Sequence, residues 1–246
     1  MMAYLSRKQR DLQRRVELIL QVGHDLLLKF GYRGLTMNRI AELTEYSKGT
    51  IYQHFSCKEE IILQLASQST KRLQEVLGKV SAYDSPTHVR VALLAEACYV
   101  FFKKYPLEFG LLSTIKSRAI RERVSDVQLK ELELLERAII TQIEGILTKG
   151  VNAGELILAE GFSEEELAHG TWFMLYGSAA FFDGIPANTP DAYDKLTLIR
   201  KNFHAYIAAW RWQGDRISSG ELIEAVNLAS IQLFNGEGGF SYADNH

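Results

Sequence analysis

The sequence predicts an all-α fold: a small N-terminal three-helix head containing two short helices joined by a tight turn, then a larger helical body. Three observations predict it. Apolar residues recur at spacings of three and four along long segments, the pattern of helices with one buried face. Ser-x-x-Glu and Ser-x-x-Gln pairs beginning at Ser56, Ser125 and Ser163 mark helix starts, because each side chain satisfies a free amide of the first turn. The stretch 36–58, TMNRIAELTEYSKGTIYQHFSCK, divides into two short amphipathic pieces around Glu45-Tyr46.

The first short helix is expected over 37–44, capped by Thr36, with Met37, Ile40 and Ala41 on its apolar side. The second is expected over 47–54. Ile51 and Phe55 lie four residues apart and face a core. Ser47, Lys48, Thr50, Tyr52, Gln53 and His54 are left for other faces, a donor-rich set with no acid in it. Two short helices crossed at a steep angle, the second with a polar exposed face, form a helix-turn-helix. Its second helix enters the major groove, where side chains read base edges.

The run from Phe30-Gly31-Tyr32 through Thr36, Ile40-Ala41 and Ser47-Lys48-Gly49-Thr50-Ile51-Tyr52-Gln53-His54-Phe55 resembles the DNA-binding domain of the TetR family of transcription regulators. Lys58 stands where that family has a lysine opening its fourth helix. The resemblance covers about the first quarter of the chain. It implies a DNA-binding head over 1–58 and a helical effector-binding and dimerisation body over 59–246; the extra helix expected at 217–235 goes beyond the point near Trp212 where that family often ends. Within the head it implies base-edge contacts from Lys48, Thr50 and Gln53, and phosphate contacts from Thr36, Tyr52, His54 and Lys58, with Ser47 in the same DNA-facing set. The family often has glycine in the turn, where this chain has Glu45. A positive φ there strains a residue that carries a side chain.

Composition agrees with this division. Apolar residues make up 47% of the 246, enough for a sizeable core, and the net charge is only −2. Residues 1–58 hold ten Lys/Arg against five Asp/Glu, a net of +5, and residues 59–246 hold eighteen against twenty-five, a net of −7. A basic head on an acidic body suits a head that meets phosphates. Cys57 and Cys98 suggest neither a disulfide framework nor a zinc site, so a reducing, cytoplasmic setting is the simpler reading. No apolar run approaches the roughly 20 residues that span a bilayer. No HExxH motif, His–His metal pair or glycine-rich phosphate loop is present, so an enzyme, a metal and a cofactor are not expected.

Along the chain, residues 1–13 with Arg7, Lys8 and Arg10 read either as a solvated terminus or as an electrostatic arm along the duplex. A helix over 11–30 should back the helix-turn-helix and end at Gly31, with Phe30 and Tyr32 in the core. Ser56 and Glu59 should cap a helix to about Val80. Ser85 and Pro86 should open a central apolar helix to about Lys104. Pro106 opens a shorter helix, and Ser125 and Gln128 a long one. Ser163 and Glu166 begin a helix with small residues at Gly170, Gly177 and Ser178, and Thr189-Pro190-Asp191 begins another to about Trp212. Ser218 and Glu221 cap one more, and the tail beyond 235 reads as disordered.

The family resemblance implies a homodimer that meets an imperfect palindrome in double-stranded DNA. It places the dimer on the helices at 163–183 and 190–212, with Gly177, Phe181, Leu196, Ile199, Phe203 and Trp210 as interface candidates. It further implies a repressor released by a small-molecule effector. Phe101, Phe102, Phe109, Trp172, Phe173 and Tyr176 supply material for a mainly apolar pocket, and equally for an ordinary core. A DNA-binding dimer that is constitutive or governed by a partner protein is the alternative.

Overall fold

A computed structural model describes residues 6–183, 195–213 and 219–234. The regular elements among the described residues are helices and two paired two-residue strands, so the all-α expectation holds. They fall into two compact units. The first comprises residues up to Ser69 together with Leu111–Leu132, and the second comprises Thr70–Gly110 and the residues from Glu133 on.

In the first unit, α1 (Arg7–Gly34) starts earlier than its apolar pattern. Ser6 and Gln9 form a reciprocal capping box that the sequence reading overlooked. Residues 7–13, expected to be an arm, are therefore helical, and the first five residues lie outside the described set. Gly31 takes φ +63° and kinks the helix, followed by one last turn. Gly23 has a packing role: a Cβ there would stand 2.9 Å from Ile61 Cγ2. α2 (Met37–Thr44) and α3 (Lys48–His54) match the expected pair, with Ser47 as cap outside the second helix. α2 packs on α1 and on α3. Ile19, Leu35, Ile40, Ile51 and Ile61 are fully buried. Phe30 and Tyr32, expected in the core, are 44% and 39% exposed. Phe30 lies under the Arg39 guanidinium at 4.3 Å, and Tyr32 under the Lys58 ammonium at 3.7 Å, so both rings serve cations on the surface.

α4 (Lys58–Ala82) contributes residues to both units. Its expected Ser56–Glu59 box is displaced by one residue. The Ser56 amide donates to Glu60 at 2.7 Å, because the Glu59 carboxylate already accepts from the Tyr32 hydroxyl at 2.7 Å. α5 (Thr87–Lys104), α6 (Pro106–Thr114), the four-residue α7 (Arg118–Arg121) and α8 (Asp126–Asn152) follow. Ser85 does not cap α5. Pro86 occupies the cap position, and the Thr87 amide donates to the Glu155 carboxylate at 2.7 Å. The Ser125–Gln128 box does open α8.

In the second unit α5 is buried along nearly its whole length, and α10 (Lys195–Ala208) and α11 (Ser219–Phe234) pack on it. α9 (Glu164–Asp183), opened by the expected Ser163–Glu166 box, packs on α10. β1 (Leu156–Ile157) and β2 (Arg211–Trp212) pair antiparallel, a contact that no local pattern announced. The expected helix starts at Thr189-Pro190-Asp191 and Ser218, and the tail beyond Asn235, lie outside the described residues. No described helix is long and apolar enough to cross a membrane.

One charged pair is sealed in this core. Arg200 Nε donates to Glu96 Oε1 at 2.6 Å, with side chains 7% and 1% exposed, and the guanidinium stands 4.8 Å from the Tyr99 ring centroid. Burial pushes the Glu96 carboxyl up, while Arg200 pulls it back. His204, one turn after Arg200, is pushed down to about 4 by burial and by the Arg200 charge.

Two outcomes follow from local geometry. Glu45 sits at φ 58°, ψ 21° as the C-cap of α2. Glu45→Gly should raise unfolding stability by about 0.5–1 kcal/mol in a denaturant titration, since glycine removes the left-handed strain at some cost in chain entropy. His204 has a folded pKa below its unfolded value, so its contribution is complete above about pH 6.5 and declines as pH falls toward 4. Urea unfolding at pH 7.5 and 4.5 should show an acid-side loss on the order of 2–3 kcal/mol that His204→Leu abolishes.

Candidate nucleic-acid interface

Caps fix the two short helices before any contact is considered. Thr36 Oγ1 accepts from the Arg39 amide at 3.3 Å, and Ser47 Oγ accepts from the Thr50 amide at 3.1 Å. The Ser47 and Thr50 hydroxyls also hydrogen-bond one another at 2.9 Å. Between the helices the backbone turns at Glu45, whose amide donates to Glu42 O at 3.3 Å. Thr44 is buried with its hydroxyl donating to Ile40 O at 2.7 Å, which closes the inner side of the turn.

With Ile51 and Phe55 buried beneath α3, its other faces are held outward. Lys48, Gly49, Tyr52 and Gln53 are exposed, and Thr50 and His54 are half-buried. Tyr52 leaves 53% of its surface open. A Cβ on Gly49 would meet only Ser47 Oγ at 3.7 Å, so this face lies open to an approaching surface. The arrangement offers an ammonium, an amide and a phenol from little more than one helical turn, groups that can pair with base edges or phosphates.

Lys58 is half-buried at the start of α4. Its ammonium donates to the Tyr32 carbonyl at 3.0 Å, a bond that uses one of its three N–H donors. Below it Glu59 stays under the ordinary carboxylate range. Burial opposes its charge, but hydrogen bonds from the Tyr32 hydroxyl and the backbone outweigh that. Arg39 is turned inward, donating to Gly34 O at 3.1 Å.

The structure brings one further group to this unit that the sequence reading missed. Cys57 Sγ donates to the Arg123 carbonyl at 3.4 Å, which sets 116–123 beside the start of α4. Its signal was present as Lys116, Arg118, Arg121 and Arg123 within eight residues.

The residues expected to line an effector pocket divide. Phe101, Phe102 and Phe109 are buried, Trp172 and Tyr176 are half-buried, and Phe173 is 63% exposed, so Phe173 is not part of an enclosed lining. The Phe102 and Phe109 rings are in direct contact, with centroids 3.9 Å apart, and Phe109 meets Tyr176 at 6.1 Å. A separate apolar cleft of about 230 Å³ lies at the β1–β2 pair, walled by Leu156, Leu158, Phe162, Leu167, Tyr206 and Trp210. Among the dimer candidates, Gly177 is exposed and Trp210 is half-buried. Phe203 is wholly buried and Ile199 is 8% exposed. Those two belong to the chain's own core, since a side chain without exposed surface buries none on association. The side chains of Phe181 and Leu196 lie outside the described residues.

Comparison with known proteins agrees with this geometry. Residues 19–65 match the family of bacterial regulatory proteins, tetR family. The chain is 27% identical over 143 residues to the HTH-type transcriptional regulator YhgD of Bacillus subtilis, covering 58% of this chain and 72% of that one. Among solved structures, a TetR/AcrR-family regulator from Thermobifida fusca superposes with a TM-score of 0.60 at 18% identity, over 80% of this chain and 99% of the other. FadR from Bacillus subtilis in complex with stearoyl-CoA superposes with a TM-score of 0.57 at 16% identity, over 78% and 97%. At such identities the structural likeness is one of fold. Residues 19–65 and the helix-turn-helix they fold into thus carry the DNA-binding domain of the TetR family of transcription regulators, and the all-α architecture of the chain is the one shared with solved regulators of that family.

Proposed function

We propose that this chain is a sequence-specific repressor that binds an imperfect palindrome as a homodimer and leaves it when a small, mainly apolar effector binds the body. The observation that carries the DNA-binding part is α3, anchored by Ile51 and Phe55, with Lys48, Tyr52 and Gln53 exposed on its free faces. Lys48, Thr50 and Gln53 take the base edges in this reading. Thr36, Tyr52, His54 and Lys58 take phosphates, Lys58 with the donors left after its bond to Tyr32. Ser47 acts mainly by holding the start of α3 in place.

Support for the dimer comes from surface left open on α9 and α10. Phe173 and Gly177 are four residues apart and exposed on α9, and Leu198 is 37% exposed on α10. A two-fold pair places two heads on successive half-sites. An apolar effector is in keeping with the apolar cleft at β1–β2 and with FadR, solved with stearoyl-CoA. α4, which runs from one unit into the other, is the covalent route by which the effector would act on the head. A second reading, DNA binding without a small effector, is favoured by the direct contact of Phe102 and Phe109 where a central pocket was expected.

Selection of duplexes from a random pool, followed by binding at several salt concentrations, tests the first part. Lys48→Ala should change the preferred base at one position of each half-site, a discrimination of about 1–3 kcal/mol, while Lys58→Ala should weaken all sequences alike. Phe173→Glu should convert a dimer to a folded monomer in sedimentation, because the side chain is exposed and carries no core packing; an unchanged mass would remove α9 from the interface. Stearoyl-CoA titrated into the protein–duplex complex should release the DNA, and no release by it or by other apolar ligands would leave the effector-free reading.

A further inference from the structure

We propose that residues 116–123 form a second phosphate-binding surface of the head, with Arg123 as its principal contact, extending the DNA footprint beyond the helix-turn-helix. This rests on the DNA-binding reading above and adds to it a surface drawn from the middle of the chain.

Three observations converge on it. The first is placement. Residues 111–132 fold with the N-terminal unit, anchored by Leu111, Leu112, Ile115, Ile120 and Leu132 in its interior. The Cys57 thiol donates to the Arg123 carbonyl at 3.4 Å, so Arg123 stands beside the residue that precedes Lys58. The second is charge. Lys116, Arg118, Arg121 and Arg123 face a single acid, Glu122, within this segment. The third is how the nearby carboxylates are used. Glu122 accepts from Arg118 at 2.5 Å, Glu60 from the Ser56 amide at 2.7 Å, and Glu59 from the Tyr32 hydroxyl at 2.7 Å beneath the surface. Asp126 lies in the first turn of α8, three residues after Arg123 in sequence. Arg118 is thereby partly neutralised, while Arg123 is exposed. The Arg123 charge is also felt at the Tyr32 hydroxyl, next to the Lys58 ammonium.

A cationic patch continuous with the start of α4 suits a polyanion rather than a folded acidic partner. Its charges flank the helix-turn-helix, and a duplex carries a negative charge about every 1.7 Å along its axis. Contacts of this kind carry no sequence information but add affinity to every duplex.

The test uses the full-length protein and a mixed-sequence duplex of about three helical turns. Affinity is measured by fluorescence anisotropy from about 50 to 200 mM salt. Arg123→Ala should lower the slope of log affinity against log salt by about 0.9 per head engaged, so that over this range the wild type loses about 3.5-fold more affinity than the variant for each contact. Arg123→Lys should retain the wild-type slope. Arg137→Ala, an exposed arginine of the second unit, should also leave it unchanged. The Cys57 bond is to the backbone carbonyl of Arg123, so thermal unfolding should be unaltered by these variants. Wild-type binding with identical slopes in Arg123→Ala and in the Lys116→Ala/Arg123→Ala pair would overturn this proposal alone. Absence of any salt-dependent binding by the wild type would overturn it together with the DNA-binding reading.

Discussion

The head depends on a constraint of helix length. α2 and α3 have eight and seven residues, too few to be stable alone in water, where helices shorter than about 12–15 residues are marginal. They are held by the burial of Ile40, Ile51 and Phe55 and by the packing of α2 on both α1 and α3. That support requires close approach. Gly23 lets Ile61 of α4 reach α1, and the side-chain caps at Thr36 and Ser47 satisfy amides that packing cannot. The polar face of α3 is consequently set by the core on its other side, and a contact surface of few residues acquires a fixed orientation.

The second unit is organised differently. α5 is apolar nearly all round and accepts both α10 and α11. Its one buried acid meets the one buried arginine of α10. Burying such a pair against apolar alternatives rarely adds net stability, but leaving either member alone is costly. Glu96 and Arg200 therefore act on register: a slide of α10 along α5 would strand two charges, whereas a slide of an apolar helix costs little.

Much of this fold is local and was legible. The limits of α2 and α3 were readable to within a residue because Thr36 and Ser47 are cap residues at the edge of an apolar pattern, and the boxes at Ser125 and Ser163 announced α8 and α9. What escaped was decided by residues distant in sequence. Glu59 is drawn from its expected cap by Tyr32, 27 positions earlier, and β1 pairs with β2 across more than fifty residues. A periodic stripe cannot tell an internal partner from another subunit, so Phe203 and Ile199 read as interface and are core. The outward placement of Phe30 and Tyr32 followed cations whose positions no periodicity encodes. For the candidate site, residue types were legible and commitments were not: nothing local showed that Lys58 already holds a carbonyl or that Arg123 would stand nearby.

The head is discontinuous in sequence, and this bears on when it can form during synthesis. An N-terminal domain usually folds first as the chain emerges. Here Ile115, Ile120 and Leu132 are buried residues of the N-terminal unit, yet they lie downstream of the 41 residues of Thr70–Gly110, which belong to the other unit. At about 5–20 residues per second, the head waits roughly 3–13 s after Ser69 is made before its last core residue exists. A nascent chain stopped before that point holds the whole helix-turn-helix sequence but lacks part of the unit it belongs to, so that unit is complete only once more than half of the chain has been translated.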